Sequence, residues 1–425
     1  MRFGGIRPNT LRVLGVGLIL SNALLMFLPL AGANAHVRSL DVLAAGGLAW
    51  LGLQAIYGVV AIPRDRLIIF VSLFLTVVLV TTAISFGFRS VPIAELNRIS
   101  LAIGRLVEVL LLGVMLRLLA NPDVVRKGAA WALTVTAAIP LSSLYLFASN
   151  PVAYTRIAGF VSLGTARGFV DQDTASFNEI GALLGLFFVV STVLMLNART
   201  WSGRIGYALL AGLYVSGTLL TFSRSAMLGM ACAMLVVFAM ASNRQRIGIA
   251  TGLFAAIAGV IAALPAFVTD LAFRFAGTAV AGSQANSSAM ARFAGWKSAL
   301  GLFAESPIFG FGYAAYPVFN HDGFITPENY YLEILADLGL IGTAVWAWYL
   351  CSLSVRAWRG WHVASGDPDS SRNAVLRFAI PGVVGLLATN VTGNNFFDPN
   401  LLLMFLFLAG AIEVAIAPKP YERIT

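Results

Sequence analysis

Long apolar stretches recur from one end of this chain to the other, and they limit its fold more than any other feature. Each stretch approaches the roughly 20 residues that a helix needs to cross the hydrocarbon core of a bilayer. Hydrophobic residues make up 59% of the 425 positions and charged residues 11%, about half the charged share of a soluble domain. The pattern therefore predicts an all-α fold, a polytopic membrane bundle in which residues 1–425 form a single domain.

Hydropathy predicts about twelve spans, separated in two places only by a tight turn. The first span is as long as the later ones and has no small-residue cleavage site, so we expect a retained helix rather than a signal peptide. The approximate bounds are 10–31, 40–62, 67–87, 99–120, 129–148, 179–197, 207–222, 226–241, 249–271, 330–353, 375–395 and 398–416.

Basic residues are concentrated in alternate loops, which the positive-inside rule assigns to the cytoplasmic side. This assignment predicts that both termini are cytoplasmic. The opposite side then carries two long loops, residues 149–178 and 272–328, and loops of such length usually serve a function. Segment 275–290 is rich in small and polar residues, which predicts a mobile stretch within the second loop.

The sequence offers little support for metal, disulfide or nucleic-acid chemistry. Cys232 and Cys351 fall in different apolar runs, and the three histidines form no metal-binding motif, so we expect no bound metal and no disulfide. The net charge of +9 would favour nucleic acid as a partner of a soluble protein. Here the basic loops set the topology instead, and no nucleic-acid partner is expected.

A second set of basic residues lies on the predicted outer side, where the positive-inside rule predicts few of them. Guanidinium forks match phosphate oxygens, so we expect this set to bind a phosphorylated ligand such as a lipid-linked diphosphate. The alternative is a scatter of ordinary loop charges. The set consists of Arg156, Arg167, Arg224, Arg274, Arg292 and Lys297.

Arg224 stands at a tight turn between two predicted spans, within the sequence LLTFSRSAMLG. Ser223 and Ser225 can satisfy backbone groups at such a break. An arginine held by rigid helix ends is well placed for catalysis. We therefore expect Arg224 to be part of the site.

Residues 327–342, PENYYLEILADLGLIG, bring polar side chains into a predicted span. Pro327 and Glu328 predict a helix start there, and capping alone is one explanation of Glu328. The next three polar positions recur every four residues and so share one helix face, which predicts a cavity lining or a pairing with an arginine. They are Asn329, Glu333 and Asp337.

The order of four short motifs resembles that of the O-antigen ligase/polymerase superfamily, over roughly residues 160–345. Asn178 also matches the asparagine that opens the span after the first long loop of this family. The motifs are SRSA around Arg224, R-x3-W at Arg292 and Trp296, P-x2-G-x-G at Pro307, Gly310 and Gly312, and N-x-YL-x2-L-x3-G from Asn329 to Gly339.

The resemblance implies a GT-C-like glycosyltransferase of the bacterial inner membrane, with a periplasmic active site. It implies that the enzyme polymerises undecaprenyl-diphosphate-linked oligosaccharides into a surface polysaccharide: O-antigen, capsule or exopolysaccharide. It implies that the enzyme needs no nucleotide or other cofactor. It also implies contact with membrane lipid, with a chain-length regulator and with a flippase. Family ligases usually carry His-Asn where this chain has Glu328-Asn329, which favours a polymerase, and His321 is a nearby substitute for that histidine.

In this interpretation Arg224 and Arg292 stabilise the departing diphosphate, and Glu328 takes the proton of the acceptor hydroxyl. Two alternatives stay open: a ligase that transfers the glycan to lipid A–core or another acceptor, and a transporter or flippase of lipid-linked glycans. The residues expected to bind substrate are Arg167, Asn178, Lys297, His321, Asn329, Tyr330 and Glu333.

Overall fold

The regular structure of the described residues is helical throughout, which confirms the all-α class. Five of the described helices are long and apolar enough to cross a membrane, while a total of about twelve spans stays a prediction. The structure is a computed structural model, and it describes residues 8–25, 65–89, 91–149, 177–252, 268–269, 272, 276, 284–320, 326–364, 366 and 370–417.

We number the helices in chain order, and a short 3₁₀ helix, Asn395–Phe397, precedes the last of them. The five candidate membrane helices are α2, most of α3, α6, α11 and α13. The bounds are α1 Pro8–Leu25, α2 Arg66–Phe88, α3 Ile93–Leu119, α4 Pro122–Thr136, α5 Ala138–Ser149, α6 Phe177–Asn197, α7 Trp201–Leu220, α8 Arg224–Met240, α9 Gln284–Glu305, α10 Tyr316–Phe319, α11 Tyr330–Ala364, α12 Ser371–Thr389 and α13 Pro399–Ile416.

Most predicted spans coincide with a helix to within a few residues, but the span predicted at 129–148 is divided into α4 and α5. The cause is Pro140, since a proline lacks the N–H of the helical ladder and its ring collides with the carbonyl four residues earlier. That carbonyl belongs to Thr136, the last residue of α4. The predicted span at 40–62, and most of that at 249–271, lie outside the described residues.

Helices α6, α8, α11 and α13 begin at the same end of the bundle, where α7 and α12 finish; we call it the upper end. The Ser223 hydroxyl before α8 donates to Asn178 Oδ1 at the start of α6, over 2.7 Å. Asn329 Nδ2, before α11, donates to the Val391 carbonyl after α12, over 3.0 Å. These bonds tie neighbouring helix ends together.

The opposite, lower end is held by two ion pairs. Arg117 Nε lies 2.5 Å from Asp65 Oδ2, which joins the end of α3 to the start of α2. Arg356 of α11 pairs with Glu413 near the end of α13 through both nitrogens of its guanidinium fork. Such bidentate pairing satisfies the buried Glu413 carboxylate, which is only 3% exposed.

Helices α8 and α12 approach each other backbone to backbone. A Cβ added to Gly229 would run into the Gly385 carbonyl and the Thr389 side chain, and one added to Gly385 would lie 3.0 Å from the Gly229 carbonyl. Small residues permit this close packing between helices in a membrane, where dispersion contacts replace the hydrophobic effect. The start of α8 and the end of α12 are therefore held as one unit.

Helix α11 is interrupted at Gly339, whose φ of 62° and ψ of −159° are accessible only to glycine. A segment preceding α10 runs alongside this break and hydrogen-bonds to it from both sides. The Gly312 amide donates to the Asp337 carbonyl over 2.8 Å, and the Leu340 amide donates to the Pro307 carbonyl over 2.8 Å. We call residues 307–312, together with the break at Gly339, the interlock.

The interlock explains three glycines of the family-like motifs. Gly310 and Gly312 have φ of 66° and 99°, in the left-handed region that disfavours side chains. A Cβ on Gly310 would collide with the Asp337 carbonyl, and one on Gly339 with the Ile308 carbonyl. The P-x2-G-x-G motif and the glycine of α11 therefore form one backbone contact.

Within the loop predicted at residues 272–328, residues 284–305 form a helix, α9. The segment 275–290, predicted to be a mobile stretch, belongs to this helix from Gln284 onward, and most of its first half lies outside the described residues. The apolar content of α9 is too low to be recognised as a span, because its buried face consists of small residues and one leucine. These are Gly295, Ala299 and Leu302.

The interlock predicts a large loss of stability when its central glycine gains a side chain. We expect Gly339→Ala to lower the free energy of unfolding by about 2–4 kcal/mol, from a forbidden backbone conformation and a collision with a carbonyl. Gly212→Ala is the control, since a Cβ at Gly212 in α7 meets nothing within 4 Å. The thermal melting of the detergent-solubilised variants measures both, and equal melting temperatures would contradict the interlock.

Candidate functional site

Arg292 and Glu328 form an ion pair at the upper end, with 2.5 Å between Arg292 Nε and Glu328 Oε2. Arg292 belongs to α9, and Glu328 precedes α11. The two side chains are 18% and 42% exposed, so the pair lies at the surface of the described structure. The expected helix start at Pro327 and Glu328 is wrong, because α11 begins at Tyr330 after both of them.

Glu328 has a φ of 45°, an uncommon conformation for a residue with a side chain. Its neighbours on both sides fix this conformation. Asn329 Oδ1 accepts a hydrogen bond from the Leu332 amide over 3.1 Å and so caps α11. On the other side, a Cβ on Gly295 of α9 would lie only 3.1 Å from Pro327 Cα. Contacts on both sides therefore hold the backbone of Glu328 in place.

Asn329 and Tyr330 were expected to orient the substrate, yet the structure engages both of them within the protein. The Asn329 amide caps α11 at one end and binds the Val391 carbonyl at the other. Tyr330 is 2% exposed, and its ring packs edge-on against Trp346 and Phe396. The geometry gives Asn329 a capping role and argues against a direct contact between Tyr330 and a sugar.

The polar face predicted for Asn329, Glu333 and Asp337 exists, but it is packed inside the protein. Glu333 is 3% exposed and hydrogen-bonds to the Asn394 side chain. Asp337 is fully buried, and its Oδ1 accepts a hydrogen bond from the Tyr316 amide over 2.8 Å. Asp337 therefore serves the backbone before and within α10, and the ion pairs of the described residues include none between Asp337 and an arginine.

Tyr313, which follows the interlock, stays protonated. Burial raises the pKa of its hydroxyl, and the nearby carboxylates of Asp337 and Glu333 raise it further. Its ring stacks on that of Phe397, with 5.2 Å between the centroids. Tyr313 therefore acts as a packing residue between the interlock and the segment before α13.

Arg224 is the first residue of α8 and is half-buried at the upper end. Ser223 caps this helix by accepting a hydrogen bond from the Ala226 amide, and its hydroxyl is 3.0 Å from that of Ser225. Phe222 has a φ of 51°, which reverses the chain within the turn. The capping expected of the serines is confirmed for Ser223, whereas the Ser225 hydroxyl contacts the Ser223 side chain, and Asn178 supports the same turn through Ser223.

The last turn of α12 lies between Arg224 and the Glu328 segment. On one side it packs against α8 through Thr389 and Gly229. On the other side the Leu387 carbonyl accepts a hydrogen bond from the Tyr331 hydroxyl over 2.8 Å. The structure thus brings Arg224, Arg292 and Glu328 to the same end of the bundle.

The remaining candidates are either apart from this group or outside the described residues. Lys297 is exposed and lies on a different face of α9 from Arg292, five residues away. Arg167 and His321 lie outside the described residues, as do Arg156 and Arg274.

Arg89, which the sequence analysis did not single out, fixes the interlock to α2. Its guanidinium stacks 3.8 Å from the ring centroid of Phe311 and donates to the Gly310 carbonyl over 3.2 Å. Burial lowers the pKa of Arg89, the charge of Glu305 opposes that shift, and arginine stays protonated. The sequence did contain a signal for Arg89, since it is an arginine that follows the predicted span 67–87 on the predicted outer side.

The fold and this site define an integral membrane protein of helical type, with arginines and a carboxylate gathered at one end of its bundle. Residues 207–347 match the O-Antigen ligase family. This match confirms the resemblance to the O-antigen ligase/polymerase superfamily, and it includes Arg224, Arg292 and Glu328. No curated protein matches the chain. Among the described residues, no cluster of three or more His, Cys, Asp or Glu side chains could hold a metal ion.

Two of the carboxylate–arginine pairs among the described residues, Arg292–Glu328 and Arg356–Glu413, differ in the exposure of the carboxylate, 42% against 3%, and this predicts different contributions to stability. We expect Glu328→Gln to change the free energy of unfolding by less than about 1 kcal/mol, because water screens a surface pair. Glu413→Gln should cost about 3–5 kcal/mol, because Arg356 then loses the counter-charge of a buried partner. Chemical denaturation in mild detergent compares the two variants. An equal loss would mean that the Arg292–Glu328 pair is a structural pair.

Proposed function

We propose that the protein is a membrane glycosyltransferase that transfers a glycan from its lipid diphosphate to a sugar hydroxyl. The observation that carries the proposal is the direct contact between Arg292 and Glu328 at the upper end, within the segment that matches the O-Antigen ligase family. The contact unites, at one exposed point, the two groups that this reaction needs: a fixed cation for the leaving group and a carboxylate for the acceptor proton.

In the resting state the two groups neutralise each other. The diphosphate of the donor offers Arg292 a stronger and bidentate partner, so its binding draws the guanidinium away from Glu328. Arg224, at the same end, binds the diphosphate as a second cation. Both oxygens of the Glu328 carboxylate are then available to the acceptor hydroxyl, so the donor binds before the base can act.

The transfer step is a displacement at the anomeric carbon of the donor glycan. The acceptor oxygen forms a bond to this carbon while the bond from the carbon to the diphosphate oxygen breaks. The electron pair of the broken bond leaves with the diphosphate, where Arg224 and Arg292 stabilise the growing charge. The proton of the acceptor passes to Glu328 and later to water. The residues named here supply both charges that the step requires.

Within this class, we propose a polymerase that acts on undecaprenyl-diphosphate-linked oligosaccharide repeat units. Glu328 stands where the family's ligases usually have histidine, which supports polymerase over ligase. The basic residues Arg199, Arg204 and Arg372 lie at helix starts and turns of the lower end. This charge distribution supports a cytoplasmic lower end and a periplasmic upper end.

Conservative variants of the three residues test the chemistry. With purified protein and a lipid-diphosphate oligosaccharide, we expect Arg224→Lys and Arg292→Lys to reduce the transfer rate by about 10²-fold, because lysine keeps the charge but loses the fork. Glu328→Gln should reduce it by about 10²–10⁴-fold through loss of the base.

Arg204→Lys is the matched control, since Arg204 is exposed near the start of α7 at the lower end. It should transfer at the rate of the unchanged protein. Full activity of all three upper-end variants would refute the proposed site.

Product analysis separates the polymerase from its alternatives. From repeat units alone, a polymerase yields a ladder of lengthened chains on gel electrophoresis, whereas a ligase yields none until lipid A–core or another terminal acceptor is added. Movement of the lipid-linked glycan across proteoliposomes without a new glycosidic bond would identify a transporter or flippase instead.

A further inference from the structure

Tyr316 connects the interlock with the helix that carries Arg292. It is fully buried at the start of α10. Its amide donates to Asp337 Oδ1 over 2.8 Å, and its hydroxyl donates to the Gly295 carbonyl of α9 over 3.2 Å. Gly295 lies three residues after Arg292, less than one helical turn away. The amide and the side chain of one residue, Tyr316, thus connect α11 near its break with the backbone beside Arg292.

A second connection from α10 reaches the same part of α9. Asn320 Nδ2 donates to the Tyr316 hydroxyl oxygen over 3.2 Å. The Ser298 hydroxyl of α9 donates to Asn320 Oδ1 over 2.6 Å. The polar groups of Tyr316, Asn320 and Ser298 therefore form a chain that begins and ends on α9.

Gly295 is also the point where α9 meets the Glu328 segment. A Cβ at this glycine would lie 3.1 Å from Pro327 Cα and 3.4 Å from the Thr326 carbonyl oxygen. The backbone around Gly295 is thus held by Tyr316 and by the residues just before Glu328. A shift of Gly295 would change the separation between Arg292 and Glu328 directly.

We propose that Tyr316 is a positioning residue of the transfer reaction, which sets where Arg292 stands relative to Glu328 and to the diphosphate. It touches no reacting atom and acts through the Gly295 carbonyl. The inference rests on the proposed function, since it assigns Arg292 to the leaving group. A displacement of a catalytic group by about 1 Å can reduce a rate by about 10²-fold, so a single hydrogen bond that fixes a helix is sufficient to matter.

Tyr316→Phe removes the hydroxyl and retains the ring. We expect kcat to fall by about tenfold and KM for the lipid-linked donor to rise by a smaller factor, because Arg292 already contacts the bound diphosphate and the charge there grows further in the transition state. Tyr214→Phe is the matched control. Tyr214 is also fully buried, and its hydroxyl also donates to a backbone carbonyl of another helix, that of Leu133, over 2.7 Å. It should lose stability but keep its kcat.

A double-mutant cycle separates positioning from a general loss of structure. If Tyr316 acts through Arg292, then Tyr316→Phe introduced into Arg292→Lys should lower kcat by less than about twofold further, because contacting residues are not additive. If Tyr316 only stabilises the fold, the full tenfold loss recurs in both backgrounds, and the inference is overturned.

Ser298→Ala tests the other end of this chain of hydrogen bonds, and it changes the side-chain volume little. We expect a kcat loss of about two- to fivefold that disappears when Tyr316→Phe is already present. An undiminished loss in that background would contradict a shared network. Unchanged kcat in Tyr316→Phe, together with a large loss in Arg292→Lys, would refute the positioning role of Tyr316 and leave the proposed function standing. Unchanged kcat in Arg292→Lys, Arg224→Lys and Glu328→Gln together would refute the proposed function itself.

Discussion

Backbone hydrogen bonding across the break in α11 is the constraint on which the upper end depends. At Gly339 the helical ladder is interrupted, and in a bilayer each backbone group left without a partner costs several kcal/mol. The interlock supplies those partners from residues 307–312. Once this segment is fixed, α10 follows it directly, and α10 in turn holds α9. The position of Arg292 is therefore a consequence of a satisfied backbone some distance away.

The helical class and most span positions could be predicted, because apolar length is a local property of the sequence. The shared face of Asn329, Glu333 and Asp337 was also predictable from their spacing. What that face meets was not, because burial depends on elements distant in the chain, here the Asn394 side chain and the Tyr316 amide. In place of the predicted cavity lining or pairing with an arginine, Asn329 and Asp337 bind backbone amides, and Glu333 meets a side chain.

Other structural features are indicated in the sequence by properties other than hydropathy. Pro140 predicts the division between α4 and α5 through its missing N–H, although the apolar run continues past it. Helix α9 buries small residues against the Glu328 segment, so its composition resembled that of a loop. The juxtaposition of Arg292 and Glu328, 36 positions apart, is a tertiary contact that neither motif contains. The motifs identified the residues, and only the fold related them.

The unusual backbone at Glu328 has a consequence for how proteins of this kind diverge. The φ of 45° is imposed by neighbours, and the half-exposed side chain contributes little to packing. Asparagine, aspartate and histidine are the side chains that tolerate this conformation best. The position can therefore exchange one proton acceptor for another while the helices around it stay unchanged. In the proposed reaction, one substitution at this position would change the group that receives the acceptor proton and leave the proposed diphosphate-binding arginines in place.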